Sequence, residues 1–384
     1  MDSLALIFIV VAVSDSYALA GALSAVASIV ISIANPFWSR LADRIGQRRM
    51  LMRAVPMKII GLSLFIALVM NGAPVWTWFV SIIVAELAAI NTGGLVRRRW
   101  LHVLSPDKST TAEDETDKHV VNTAYSYEAL MDEVVFIVGP ITATACATSI
   151  APAAGLIAGM ILMSIGLPLF AMQRATEPPP SPVRVKDPHP PVIGIPIVQA
   201  IALATTFTGG FFGAISITVV AFAESQGQKS YSGLLLGLWA SGSAVMAIIN
   251  GLIKWKTSYA GRFLIFLSAL TIFSIPFIFV DSILGLAIAL FFNGFAIAPL
   301  IVNAYGIVQE AVPSEQITES FTWVVAGMPL GGAISSALGG WVIDTYGAQS
   351  ALWVPLGFMC AALLATLPYF RVYKRLIHYP LNRD

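Results

Sequence analysis

Acidic and amide side chains inside apolar runs are where this sequence could do chemistry. Glu86 stands in the run from Val75 to Ala89 and beyond, about equally far from both of its ends. A carboxylate at the centre of a hydrocarbon layer costs a few kcal/mol by insertion scales, and it persists only if neutralised, paired or solvated by a cavity. Two readings stay open for it: a group that binds and releases a proton, or a protonated side chain hydrogen-bonded to a neighbouring helix. Glu128, Asp132 and Glu133 form a second cluster in the stretch Tyr125 to Val135. Glu128 and Asp132 are four apart and share a helix face, while Glu133 points about 100° away. Either Asp132 or Glu133 carries a proton, or the cluster pairs with arginines of the 39–53 segment or with Arg97, Arg98 and Arg99 as a latch. The second half of the chain has no equally deep acid. Its polar candidates are Asn250, Asn293 and Asn303, with Thr205, Thr206 and Thr208. Asn293 is mid-run, and solute binding stands beside plain interhelical hydrogen bonding.

Other chemistries find no support in the residue pattern. The four histidines, His102, His119, His189 and His378, lie in polar connections without metal-ligand spacing. Cys146 and Cys360 sit inside apolar runs and read as small buried hydrophobes. No phosphate-binding loop of the G-x-x-x-x-G-K-[ST] type occurs. The sequence therefore implies no cofactor, no metal, no enzymatic reaction and no nucleic-acid partner.

The elements that must hold these residues are membrane helices. The chain is 57% hydrophobic and only 11% charged, against about 25% charged residues in soluble domains, so lipid is the main solvent. Apolar runs of spanning length fall near 18–38, 54–71, 75–96, 126–147, 152–172, 196–222, 232–253, 263–280, 283–304, 319–341 and 350–370. Each must be helical, because hydrocarbon offers no partner to a free backbone group. Pro140, Pro276, Pro299 and Pro329 lie inside these runs and are expected to kink them. The first run, Leu4 to Val13, is short; about thirteen helical residues reach roughly 20 Å of a ~30 Å core. Either the natural first helix begins upstream of Met1, or this helix is truly shortened and thins the bilayer.

Proline-dense sequence from Ala175 to Pro191 divides the chain into two six-span halves. The expected organisation is a bundle over 1–172, a cytoplasmic linker over 173–195, a second bundle over 196–370 and a tail over 371–384. The halves echo one another: Val134-Val135 leading to Gly139-Pro140 resembles Val324-Val325 leading to Gly327-Met328-Pro329. With connections assigned alternately to two sides, nearly all Lys and Arg share one side and Lys229 stands alone on the other. Cytoplasmic loops concentrate Lys and Arg, so both termini are expected in the cytoplasm. Lys58, taken as a turn inside its span, is expected to snorkel to the interface. Trp76, Trp78, Trp100, Trp239, Trp323 and Trp353 read as interfacial anchors, and Phe207, Phe211 and Phe212 as lipid contacts or, alternatively, as faces for an apolar ligand.

One charged hairpin names a family. Ser39-Arg40-Leu41-Ala42-Asp43-Arg44-Ile45-Gly46-Gln47-Arg48-Arg49 resembles the G-x-L-A-D-R-x-G-R-R-x-x-L loop of major facilitator superfamily transporters, with Ser39 and Gln47 as departures. The resemblance covers essentially the whole chain and is strongest to bacterial, proton-coupled efflux branches. It implies an all-α fold of two six-helix bundles related by pseudo-two-fold symmetry, working as a monomer in the plasma membrane. In that family the first, fourth, seventh and tenth helices line the cavity, which places Glu86 and Asn293 near the path of a small-molecule substrate and protons. The aspartate matching Asp43 meets the N-terminus of the eleventh helix, here Thr318-Glu319-Ser320. A gate of Asp43, Arg44, Gly46, Arg48 and Glu319 is expected there. Gly139-Pro140 resembles the antiporter signature G-x-x-x-G-P-x-x-G-G in its central pair alone, and a packing kink explains it equally. The expectation is proton-coupled efflux of a small amphipathic or cationic compound, since no equally deep base is seen to neutralise an anion. Proton-coupled uptake of a neutral solute and a transport-incompetent sensor or scaffold are the alternatives.

Overall fold

A computed structural model describes residues 2–90, 92–104, 115–180, 194–253, 255–312 and 317–377. They form fifteen α-helices, with no strand among the described residues. Ten helices are long and apolar enough to cross a membrane, and Ser3–Ser14 and Val75–Glu86 are shorter apolar helices. The chain separates into two compact units. One is Met1–Val13 with Ile29–Asp187, and the other is Ser14–Ser28 with Pro188–Asp384. Ser14–Ser28 thus groups with the second unit rather than with the rest of the first half of the chain.

The first unit holds α1 (Asp2–Ser14), α2 (Tyr17–Ile45) from Ile29 onward, α3 (Gln47–Met70), α4 (Val75–Glu86), α5 (Thr92–Leu104), α6 (Glu115–Ser149) and α7 (Ala154–Met172). The short α1 is buried along Leu4 to Val11, at 4% exposure or less. Helices α2 and α3 turn at Gly46, whose φ of 89° favours glycine. Ala34, Trp38, Ala42, Met50, Leu51, Ala54, Leu95 and Ala171 then form one apolar core among α2, α3, α5 and α7.

The second unit holds the start of α2 with α8 (Pro196–Ser225), α9 (Ser232–Leu252), α10 (Tyr259–Ser274), α11 (Ile283–Gly294), α12 (Ile297–Ala311), α13 (Ile317–Tyr346), α14 (Ala348–Ala351) and α15 (Trp353–Ile377). Helix α8 is its axis and packs on α13 and α15. A side chain at Gly331 would overlap the Thr206 carbonyl, so these two backbones touch through small residues.

Two spans expected to be continuous are broken. The fourth divides into α4 and α5, the tenth into α11 and α12. Proline placement changes accordingly. Pro140 and Pro329 lie inside α6 and α13. Pro276, however, opens a 3₁₀ turn over Ile275–Phe279 after α10 has ended, and Pro299 lies in the first turn of α12. Both accompany breaks instead of kinking a running helix, because proline is tolerated where the N–H has no intrahelical partner.

Candidate functional site

Glu86 is the last residue of α4, and the chain after it tightens and stops being helical. The turn is held by Ala88 N–H to Ala85 O at 3.2 Å and Ala89 N–H to Glu86 O at 3.0 Å. The Leu87 carbonyl left over by the break accepts from the Trp38 indole at 2.6 Å, which satisfies a backbone group that lipid could not. At this depth α3 runs close behind α4, since a Cβ on Gly61 would meet the backbone of Ala85. One turn from Gly61, Lys58 Nζ lies 2.6 Å from Glu86 Oε2, with both side chains buried. Lys58 therefore does not snorkel. Helix α3 begins at Gln47, well before the apolar run that starts near residue 54, which puts Lys58 near its middle.

The second unit has a neutral counterpart. Asn293 precedes the break between α11 and α12 and is fully buried. Its Oδ1 accepts from the Trp239 indole at 3.0 Å, and its Nδ2 donates to Ser274 Oγ at 3.1 Å and to the Leu270 carbonyl at 3.4 Å. Each unit thus ties the interrupted span to the helix before it: α4 to α3, and α11 to α10. Trp239 is consequently no interfacial anchor, and Trp78 is buried too. Phe211 is fully buried and packs edge-on against Trp239, so lipid does not reach it. Thr205, Thr206 and Thr208 donate to carbonyls one turn earlier in α8.

At the polar end of the first unit, three consecutive arginines of α5 fan out in three directions, as about 100° per residue requires. Arg97 Nε lies 3.1 Å from Glu128 Oε1, with Asp132 at 3.9 Å. Arg98 pairs with Asp43 of α2. Arg99 turns inward, donating to Gln47 Oε1 at 2.8 Å, to the carbonyls of Phe170 and Gln173 at 2.8 and 3.1 Å, and to Thr176 Oγ1 at 3.1 Å. Its guanidinium also stacks 3.6 Å from the Phe170 ring centroid. Burial draws the Arg99 pKa below the ordinary arginine value, and the charge of Glu177 opposes that.

Glu177 Oε1 accepts from the Arg48 N–H at 2.9 Å and so caps the start of α3. A Cβ on Gly46 would press on that same oxygen. Of the expected gate, Asp43 has its partner on α5, Arg48 contributes its backbone, Arg44 is exposed, and the Glu319 side chain lies outside the described residues. Glu133 is half-buried on α6, Gly139 is buried beside Pro140, and Gly327 abuts Thr206. Lys58, Gln47 and Glu177 are partners the sequence did not indicate, and Arg99, expected to meet the 128–133 acids, binds Gln47 and the end of α7 instead. For Lys58 a signal existed, because a deep acid needs a deep base and Lys58 is the one lysine within reach of mid-span.

Known proteins agree with this architecture. The chain superposes on a point mutant of the nucleoside transporter NupG with TM-score 0.72 and 13% identity, covering 96% of this chain and 95% of that one. A bacterial homologue of the iron transporter ferroportin gives TM-score 0.69 and 13% identity, with coverage of 96% and 94%. A POT family peptide transporter gives TM-score 0.69 and 12% identity, with coverage of 96% and 90%. No curated protein matches the sequence. The sequence profile described as Major Facilitator Superfamily matches residues 2–283 and 201–383. With its multiple membrane helices and this profile across its length, the chain belongs to the major facilitator superfamily of transporters.

Proposed function

We propose that the chain is a proton-coupled secondary transporter that exports a small amphipathic or cationic solute by alternating access, with Glu86 as the proton site. The observation that carries this is the buried Lys58–Glu86 pair at the interruption of the fourth span. Interrupted spans in corresponding positions of two halves point to the binding region of secondary transporters. Protonation of Glu86 neutralises the carboxylate and releases the Lys58 ammonium, and deprotonation re-forms the pair. A cationic group on a solute competes with both the proton and Lys58 for one carboxylate. Binding therefore expels the proton, which is exchange, and with an inward proton gradient it drives export. Asn293 has its amide committed to Trp239, Ser274 and Leu270 and is assigned a packing role at its break.

Lys58 is a deep base, so the region can also neutralise an anion. A second reading follows from it: an anionic solute binds Lys58 once Glu86 is protonated, which gives co-transport and uptake. Export is preferred because Glu86 is on the fourth helix, which the family resemblance puts on the solute path, whereas Lys58 is on the third. The neighbours are named for nucleosides, iron and peptides, too diverse a set to choose a solute. Both termini are assigned to the cytoplasm on the charge asymmetry, and a plasma-membrane monomer is assigned on the family resemblance.

The test is quenching of a pH dye in inverted vesicles, challenged with lipophilic cations, neutral amphipaths and organic anions. Cation-triggered proton release that vanishes in Glu86→Gln is the expected result. Proton entry triggered by anions supports the second reading. Full coupling in Glu86→Gln removes Glu86 from the mechanism.

A further inference from the structure

The start of α2 is held by a residue that sequence reading left unassigned. Asp344, near the end of α13, accepts from Ser16 Oγ at 2.8 Å, from the Tyr17 N–H at 2.9 Å and from the Ala18 N–H at 2.8 Å. Ser16 Oγ in turn accepts from the Leu19 N–H at 3.1 Å. The first N–H groups of a helix lack intrahelical partners and sit at the positive end of its dipole. A carboxylate supplied there from another helix makes charge-assisted bonds, shorter and stronger than neutral ones. The Tyr17 hydroxyl donates to Glu224 at the end of α8, and Glu224 pairs with Lys229 at 2.7 Å. Lys229 is the lone base of the connections on that side. Asp15, Asp344 and Glu224 all bear electrostatically on Tyr17.

Beneath these contacts the helices touch through backbone. A Cβ at Gly340 would overlap the Tyr17 carbonyl, and one at Gly21 would overlap the Ser336 carbonyl. Tyr17, Gly21 and Ser24 share a face of α2 by helical spacing. Ser24 is buried at 6% exposure.

The two ends of this helix have different allegiances: Ser14–Ser28 groups with the second unit and Ile29 onward with the first. Asp344 is held by α2's own N–H groups and Ser16, and Glu224 by the Tyr17 hydroxyl and Lys229. When that turn leaves, water can solvate them. Such a contact is strong while closed and reversible when opened. We infer that Asp344, with Tyr17 and Glu224, is a releasable latch on the first turn of α2 that holds one state of the transport cycle. The inference does not depend on the proton site, solute or direction proposed above.

Labelling by a membrane-impermeant maleimide tests it without any solute. Cys146 and Cys360 are replaced by alanine, and Ser24→Cys, nearly isosteric, reports opening beneath the latch. Intact cells and inside-out vesicles are both probed, so either orientation is covered. Asp344→Ala is expected to speed Ser24→Cys labelling about five-fold or more in one preparation. Tyr17→Phe, which removes one hydroxyl and keeps the ring, is expected to speed it about two-fold. Ser274→Cys, fully buried in α10, should keep its rate. Unchanged Ser24→Cys labelling in both variants and both preparations overturns the latch. An equal rise at Ser274→Cys also overturns it, because the whole fold has then loosened.

Discussion

Lys58 Nζ and Glu86 Oε2 lie 2.6 Å apart in the interior of the first unit, where α4 ends. Two charges taken out of water each lose several kcal/mol of solvation, and their attraction offsets this only when both stay in place. The pair is therefore poised: intact it is quiet, and losing either partner leaves an uncompensated charge. Removing one partner is expected to destabilise the protein by about 3–5 kcal/mol, while Lys58→Met with Glu86→Leu should recover most of that. Thermal unfolding in detergent, as a double-mutant cycle, measures it. Additive single effects would mean that the two charges do not interact.

Gly61 sets the reach of that pair. Its missing side chain allows α3 to approach Ala85, the neighbour of Glu86. Gly61→Ala is expected to push α4 away and cost about 1–3 kcal/mol by overpacking. The functional consequence should resemble Glu86→Gln: coupled proton movement weakened, with the protein still in the membrane. Gly72, which has open space around a Cβ but a positive φ, serves as the control, and Gly72→Ala should leave coupling unchanged.

Asp43 and Arg98 are partly exposed, so their ion pair contributes little to stability, about 1 kcal/mol or less. Its role is then orientation of α2 against α5. Asp43→Arg alone should bring two like charges together and reduce transport several-fold. Asp43→Arg with Arg98→Asp should restore it. Flux of whichever solute the vesicle assay identifies is the readout, and a double variant no better than the single one would assign Asp43 a different partner.

The all-helical fold was legible because lipid admits few backbone solutions, and the apolar runs marked where helices cross. The breaks were not legible. Leu87 to Ile90 and Phe295 to Ala296 are as apolar as intact helix, and only the Trp38 indole, arriving from α2, satisfies the carbonyl left at Leu87. Glu86 stood out as a deep acid, yet its base was misplaced, since hydropathy hid the polar first turns of α3. Arg97, Arg98 and Arg99 were visible as a basic cluster. Which acid each would meet depends on helix rotation, and that is set by packing. Asp344 and Tyr17 gave no signal, because a carboxylate capping a helix 327 positions away leaves no local pattern.

Arg99 carries the last prediction. It is 5% exposed and joins α5 to Gln47 of α3 and to the exit of α7 through Phe170, Gln173 and Thr176. A planar guanidinium serves several acceptors and stacks on a ring at once; a lysine ammonium has no plane to stack and a single point of charge. Arg99→Lys should therefore fail as a conservative change. It leaves the carbonyls at the end of α7 and the Gln47 amide oxygen short of donors, each worth about 1–3 kcal/mol when buried. The expected loss is larger than for Arg97→Lys, whose side chain is more than half exposed at 55%. Unfolding of both variants in the same detergent decides it. If Arg97→Lys proved the more damaging, the buried node would be incidental, and the exposed pairs with Glu128 and Asp132 would be what holds this end of the first unit together.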